Sequence, residues 1–344
     1  MHSNAIDSSI LKKVLSHYDF FDGKLDHFAP IPQRLVNQNA KFSAGGVDYV
    51  VKRYDKAGLP SCLELSHKVQ IHLQGLQFPV AKLEVCRDGN SLVEEGGGVF
   101  SIQRWVDGQH LEYLEPDAAT PDNLIEEIAR RLGQYHSIVQ HEFSAPSDLR
   151  QQTGQLIQET RTSIRSLTKF KINRLSPYLK LKMRWKKTAF ERDLLQLYPL
   201  ALSLVDSLPD PDNFDVQGFG DVVIAHNDIN WQNFIFDSNG KLVALIDFDN
   251  MQYAYREIEV GFAALVVVGA NPEKLNSFVS IYAECAECPL DLQAVHLAMK
   301  IRCIRSFRWA LQSYVNDRIE DVELLEGWIR HLRVCAGYLQ GLGR

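Results

Sequence analysis

At 344 residues the chain exceeds one compact core of usual size, and its 45% hydrophobic and 23% charged content excludes a disordered or fibrous protein, so two folded lobes are expected. A net charge of −6 argues against a nucleic-acid partner, and the longest apolar run, residues 260–270, is too short to cross a bilayer. The N-terminus lacks a secretory apolar core and the six cysteines are too sparse for a disulfide framework, so a cytoplasmic protein with reduced thiols is expected.

Residues 34–54, "RLVNQNAKFSAGGVDYVVKRY", place β-branched and aromatic residues on both sides of Gly-Gly and predict a hairpin. After it, Ser61 and Glu64 have capping-box spacing ahead of an apolar helical pattern closed by Gly75 and Pro79. Further strands are expected within 81–95, where "RDGN" supplies a turn, and within 98–108, which ends at Gly108. The first lobe therefore reads as strands around one helix. From about residue 120 onward the period switches to 3.6, which predicts a mainly helical second lobe and a single boundary near 104–108, giving lobes 1–105 and 106–344. Residues 161–187 hold ten Lys or Arg and no acid; a solvated helical face or a contact for a small anion accounts for that run. Cys285 and Cys288 form a CxxC without the second pair that a zinc site requires.

One stretch breaks the apolar pattern. In "VVIAHNDINWQNFIFDSNGKLVALIDFDN", residues 222–250, Asn239-Gly240 is a strong hairpin signal between 234–236 and 241–246. Counting back from that turn, with Ser238 opposite Lys241, sets Asn233 opposite Ile246 and brings Asn233 and Asp247 to the same end. An amide oxygen and a carboxylate together are hard ligands of the kind that hold Mg²⁺. Asp228, on the loop entering the hairpin, is placed to accept a proton from an attacking hydroxyl. Turn capping by Asp228 and Asn233 and a strand end at Asp247 is the plainer alternative.

"HNDINWQN", then an aliphatic strand and "IDFD", resembles the catalytic and metal-binding segments of protein-kinase-like enzymes, most closely the aminoglycoside phosphotransferase and homoserine, choline or methylthioribose kinase group. The resemblance implies an α+β, protein-kinase-like two-lobe fold and transfer of the ATP γ-phosphate to a hydroxyl of a small molecule. It implies Asp228 as catalytic base, Asn233 and Asp247 as Mg²⁺ ligands with Asp249 as second choice, and His226 as a loop organiser. It further implies Lys52 on the phosphates with Glu64 as its ion-pair partner, and adenine contacts at Gln103 to Trp105. His136 stands at the family's helical His position, Glu259 where an Asp is usual, Asn227 where a Gly is common, and the turn before Asn39 lacks the usual glycine. A protein kinase-like enzyme and a non-catalytic nucleotide-binding protein are the rival readings; no "DFG" or "APE" supports the first. Arg302, Arg305 and Arg308 lie on one helical side and suit an anionic acceptor, whereas the acids at 317–326 suit a cationic one or pair with those arginines.

Overall fold

The computed structural model describes residues 6–31, 38–55, 62–110, 120–143, 219–269, 271–315 and 322–341, with a few helical residues between 192 and 200. The basic run 161–187, Ser61 and the acids Asp317, Glu320 and Asp321 lie outside the described residues. Two compact units form: Met1–His110 with Asn233–Met251, and Leu111–Gln232 with Gln252–Arg344. The units interleave in sequence, unlike the single boundary at 105/106 expected from the switch in period, because the hairpin after residue 232 packs with the first unit.

In the first unit, α1 (Ser8–Leu15) precedes β1 (His27–Ile31), β2 (Gln38–Ala44), β3 (Val47–Asp55), α2 (Leu63–Gly75), β4 (Val93–Glu95), β5 (Gly98–Arg104) and β6 (Gln109–His110). A five-stranded antiparallel sheet runs β1-β2-β3-β5-β4. The β2–β3 hairpin turns on Gly45 and Gly46, whose φ of 57° and 75° are the left-handed values that a two-residue turn demands and glycine supplies without strain. Alternation along β3 sends Tyr49 and Val51 to one face, where Leu11, Val14, Leu15 and Tyr18 cover them, and Lys52 and Tyr54 to the other. The covering helix α1, N-capped by Asp7 through bonds of 2.8 Å from the Ser9 and Ile10 amides, corrects the expectation of one helix in this lobe. At eight residues it offers too short a periodic pattern to stand out in the sequence. α2 also departs from expectation at its start: its N-cap is Cys62 and no side chain caps it.

The hairpin β8 (Phe234–Phe236) and β9 (Leu242–Leu245) joins β6 in a second sheet of this unit, order β6-β8-β9. Gly108 lets the chain pass there, since a Cβ would sit 2.4 Å from Ile235 Cγ2 and 2.7 Å from the Phe236 carbonyl oxygen.

The second unit contains α3 (Asp122–Phe143), β7 (Val222–Ala225), β10 (Gln252–Tyr255), α4 (Arg256–Val267), α5 (Pro272–Cys285), α6 (Leu292–Val315) and α7 (Val322–Gly341). β7 and β10 pair antiparallel. α4 is largely apolar and buried at every residue but the half-buried Ile258, as a central helix must be. Two glycines permit close helix crossings in this unit. A Cβ on Gly261 of α4 would lie 2.7 Å from the Val295 carbonyl oxygen of α6, and one on Gly133 of α3 would lie 2.7 Å from the Tyr282 carbonyl oxygen of α5. No described helix is long and apolar enough to cross a membrane.

Candidate active site

The hairpin carries the first cluster. Phe234 pairs with Leu245, and the Ile246 amide donates to the Asn233 carbonyl at 3.0 Å, so Asn233 does stand opposite Ile246 and beside Asp247 at the end of the ladder. The route differs from the simple count. At the turn Asp237 rather than Ser238 stands opposite Lys241: its amide donates to the Lys241 carbonyl at 3.0 Å and its carboxylate accepts from the Lys241 amide at 3.0 Å. A bulge between Ile235 and Phe236 then restores the register by one residue. Asp247 itself has φ 67° and ψ 60°, a left-handed conformation that Asp tolerates and that ends the strand, with Phe248–Asn250 turning as a short 3₁₀ segment.

Lys52 on β3 meets this corner. Its ammonium lies 2.7 Å from Asp247 Oδ1 and 3.2 Å from Asp249 Oδ2. Burial opposes the charged form, but the two carboxylates outweigh it and hold the lysine pKa well above its ordinary value. Asp249 also accepts from the Tyr54 hydroxyl at 3.1 Å, and burial raises its pKa against the pull of Lys52. The expected Lys52–Glu64 pair is corrected. Glu64 is exposed in the first turn of α2, while the inward face of that helix presents Ser66, His67 and Gln70. His67 bonds Ser91 Oγ through Nδ1 at 2.7 Å, and burial together with the Lys52 charge pushes its pKa down to about 4, so it is neutral.

The two residues expected at adenine sit differently. Gln103, 7% exposed, turns its amide toward Gln70 Oε1 at 3.5 Å. Trp105 is half-buried, donates through Nε1 to Asp107 at 2.9 Å and lies under the Lys41 ammonium at 4.1 Å from the ring centre.

The second unit builds the loop that bears Asp228. β7 ends at Ala225, and Glu259 of α4 then accepts two successive amides, from His226 at 3.0 Å and Asn227 at 2.6 Å. The same carboxylate takes His136 Nε2 at 2.6 Å, while His136 Nδ1 meets the Tyr282 hydroxyl. His136, His226, Glu259 and Tyr282 are all buried, and Asn227 is half-buried. Asn227 adopts φ 61°, the reason a Gly or Asn belongs at this position. His226, fully buried, receives the Asp228 amide on Nδ1 at 3.3 Å, and Asn230 Nδ2 donates to Asp228 Oδ1 at 3.1 Å. The Asp228 side chain is thus oriented from its own loop, and the loop from Glu259. Sequence reasoning singled out His136 and Glu259 without joining them; the signal was the buried acid and the helical histidine, each polar within an apolar stretch.

On α6, Arg302 and Arg305 set their guanidinium carbons 5.1 and 5.6 Å from the Phe262 ring centre. Trp231, from the loop after Asp228, packs edge-on to His331 of α7 with centroids 6.3 Å apart.

Comparison with known proteins identifies the fold and the family. A putative aminoglycoside phosphotransferase from Ralstonia eutropha JMP134 is similar at 17% identity and TM-score 0.61 over 98% of both chains. Spectinomycin phosphotransferase APH(9)-Ia, solved with ADP and spectinomycin, gives 13% identity and TM-score 0.63 over 98% of this chain and 99% of that one. Choline kinase LicA from Streptococcus pneumoniae gives 14% and 0.53 over 96% and 98%. Curated protein sequences yield no significant match. The fold is that of protein-kinase-like phosphotransferases, and the APH phosphotransferase enzyme family model matches residues 27–284; the chain belongs to that family and is a phosphotransferase.

Proposed function

We propose that this phosphotransferase moves the γ-phosphate of ATP, as its magnesium complex, to a hydroxyl of a small molecule. The observation that carries the reading is the corner where Asn233, Asp247 and Lys52 converge, a buried ammonium bonded to a carboxylate that stands beside an amide.

The donor set fits a hard divalent cation. Asp247 and Asn233 offer oxygen ligands, and the Asp247 side chain keeps 39% of its surface open even while Lys52 occupies one oxygen. Bound there, Mg²⁺ would neutralise charge on the transferring phosphoryl group. Asn233 and Asp247 hold the ion, and Lys52, kept charged by its carboxylates, holds the phosphates. Asp228 orients the acceptor hydroxyl and accepts its proton. Asn230 and the His226 ring fix the Asp228 loop, so the carboxylate arrives preset rather than being ordered by substrate. Gln103, within β5, and Trp105, just past its end, are the proposed adenine contacts. The bound ADP in the spectinomycin enzyme and the amino-alcohol acceptor named for choline kinase are in keeping with this class of reaction.

Replacing Asp228 with Asn tests the assignment. Turnover falls about 10²- to 10⁴-fold, the range for loss of a general base, with ATP binding retained. A near-native rate in that variant rejects Asp228 as the base. The acceptor is found by an ATP-consumption screen over amino alcohols, hydroxy amino acids, sugars and aminoglycosides.

A further inference from the structure

A lysine that grips nucleotide phosphates needs a carboxylate that stays with it after the nucleotide and metal arrive. The helix that follows β3 does not supply one here. Glu64 is the one acid in α2 and it is exposed, while the inward-facing His67 is neutral. Lys52 instead has two aspartates two residues apart, and they are not equivalent. The Asp247 side chain is 39% exposed, that of Asp249 only 9%. Each Asp249 oxygen already has a donor, Oδ1 the Tyr54 hydroxyl at 3.1 Å and Oδ2 the Lys52 ammonium at 3.2 Å. Its backbone carbonyl further accepts the Cys62 thiol at 3.2 Å, at the start of α2.

We propose that Asp249 is the positioning residue for the phosphate-binding lysine, in place of a carboxylate on α2, and that Asp247 turns from Lys52 to the metal while Asp249 keeps the lysine in place. The inference rests on the roles given above to Lys52 and Asp247. When a cation takes Asp247, the lysine keeps one full ion pair in a dry setting instead of being left to swing. The pair itself is made between the sheet and the segment after the hairpin, with no carboxylate from α2 in it.

The test follows Mg²⁺-dependent ATP hydrolysis without an added acceptor, together with ATP binding by calorimetry in the presence and absence of Mg²⁺. Wild-type protein that neither binds nor hydrolyses Mg-ATP defeats the functional reading itself, before any variant is compared. Given wild-type turnover, Asp249→Asn lowers kcat about tenfold or more through lost positioning. Metal-free ATP binding holds or tightens, because a negative charge near the phosphates has gone. Asp249→Glu, which keeps the charge, recovers part of kcat, and Glu64→Gln stays within about twofold of wild type, as an exposed unpaired acid should. An unchanged kcat in Asp249→Asn overturns the proposal. So does full recovery of that variant at high Mg²⁺ with weakened Mg²⁺ affinity, which marks a metal ligand, and so does an equal loss in Glu64→Gln.

Discussion

Single residues here carry backbone conformations that only a few side chains accept. Asn227 holds φ 61° between the two amides that Glu259 receives, so Gly at that position retains activity. Asn227→Val loses it, because a β-branched residue at left-handed φ costs about 1–2 kcal/mol and moves the neighbouring Asp228. Steady-state rates of the two variants check this. His67 gives a pH signature. Its pKa is pushed from the ordinary 6.5 down to about 4, so the unfolded chain binds a proton that the folded one refuses. Stability is therefore complete above pH 6.5 and declines as pH falls from 6.5 toward 4, by on the order of 3 kcal/mol at the limit. In His67→Gln that part of the slope disappears, as denaturant midpoints between pH 4 and 7 measure.

At the level of elements, the sequence was most readable where turn chemistry was explicit. Gly45-Gly46 and Asn239-Gly240 both announced hairpins, and both form. The second held a finer lesson. The turn is one residue longer than the simple reading, and the bulge at Ile235/Phe236 offsets it, so Asn233 and Asp247 meet as expected through two departures that cancel. Bulges have no local sequence code strong enough to reveal this. The Lys52–Glu64 pair failed for a related reason. Capping-box spacing was legible, but which face of α2 turns inward depends on packing against the sheet, and that face carries His67 and Gln70. Asp249 was in plain view two residues after Asp247, yet only the third dimension shows that one aspartate is enclosed and the other open. Helix crossings were equally silent in sequence. Gly261→Ala drives a methyl to 2.7 Å from the Val295 carbonyl and costs about 1–3 kcal/mol in urea unfolding. Gly75→Ala, with nothing within 4 Å, is neutral or slightly stabilising in the same assay.

For the molecule as a whole, nucleotide binding is the property to measure. Mg-ATP at a hundred times its dissociation constant raises stability by about 2.7 kcal/mol through mass action, visible as an upward shift in Tm. No shift at millimolar Mg-ATP favours a chain that has kept the fold without the cofactor. The interleaving of the two units bears on how the chain is made. Lys52 and Asp247 stand 195 positions apart, and the strand that completes the first unit's second sheet comes after more than a hundred residues of the other unit. A ribosome that has released the first 110 residues has not yet supplied the carboxylates that balance a buried ammonium. The first unit reaches its finished state only once residue 251 has emerged, so its folding is tied by chain order to synthesis well into the second unit, rather than being complete before that synthesis starts.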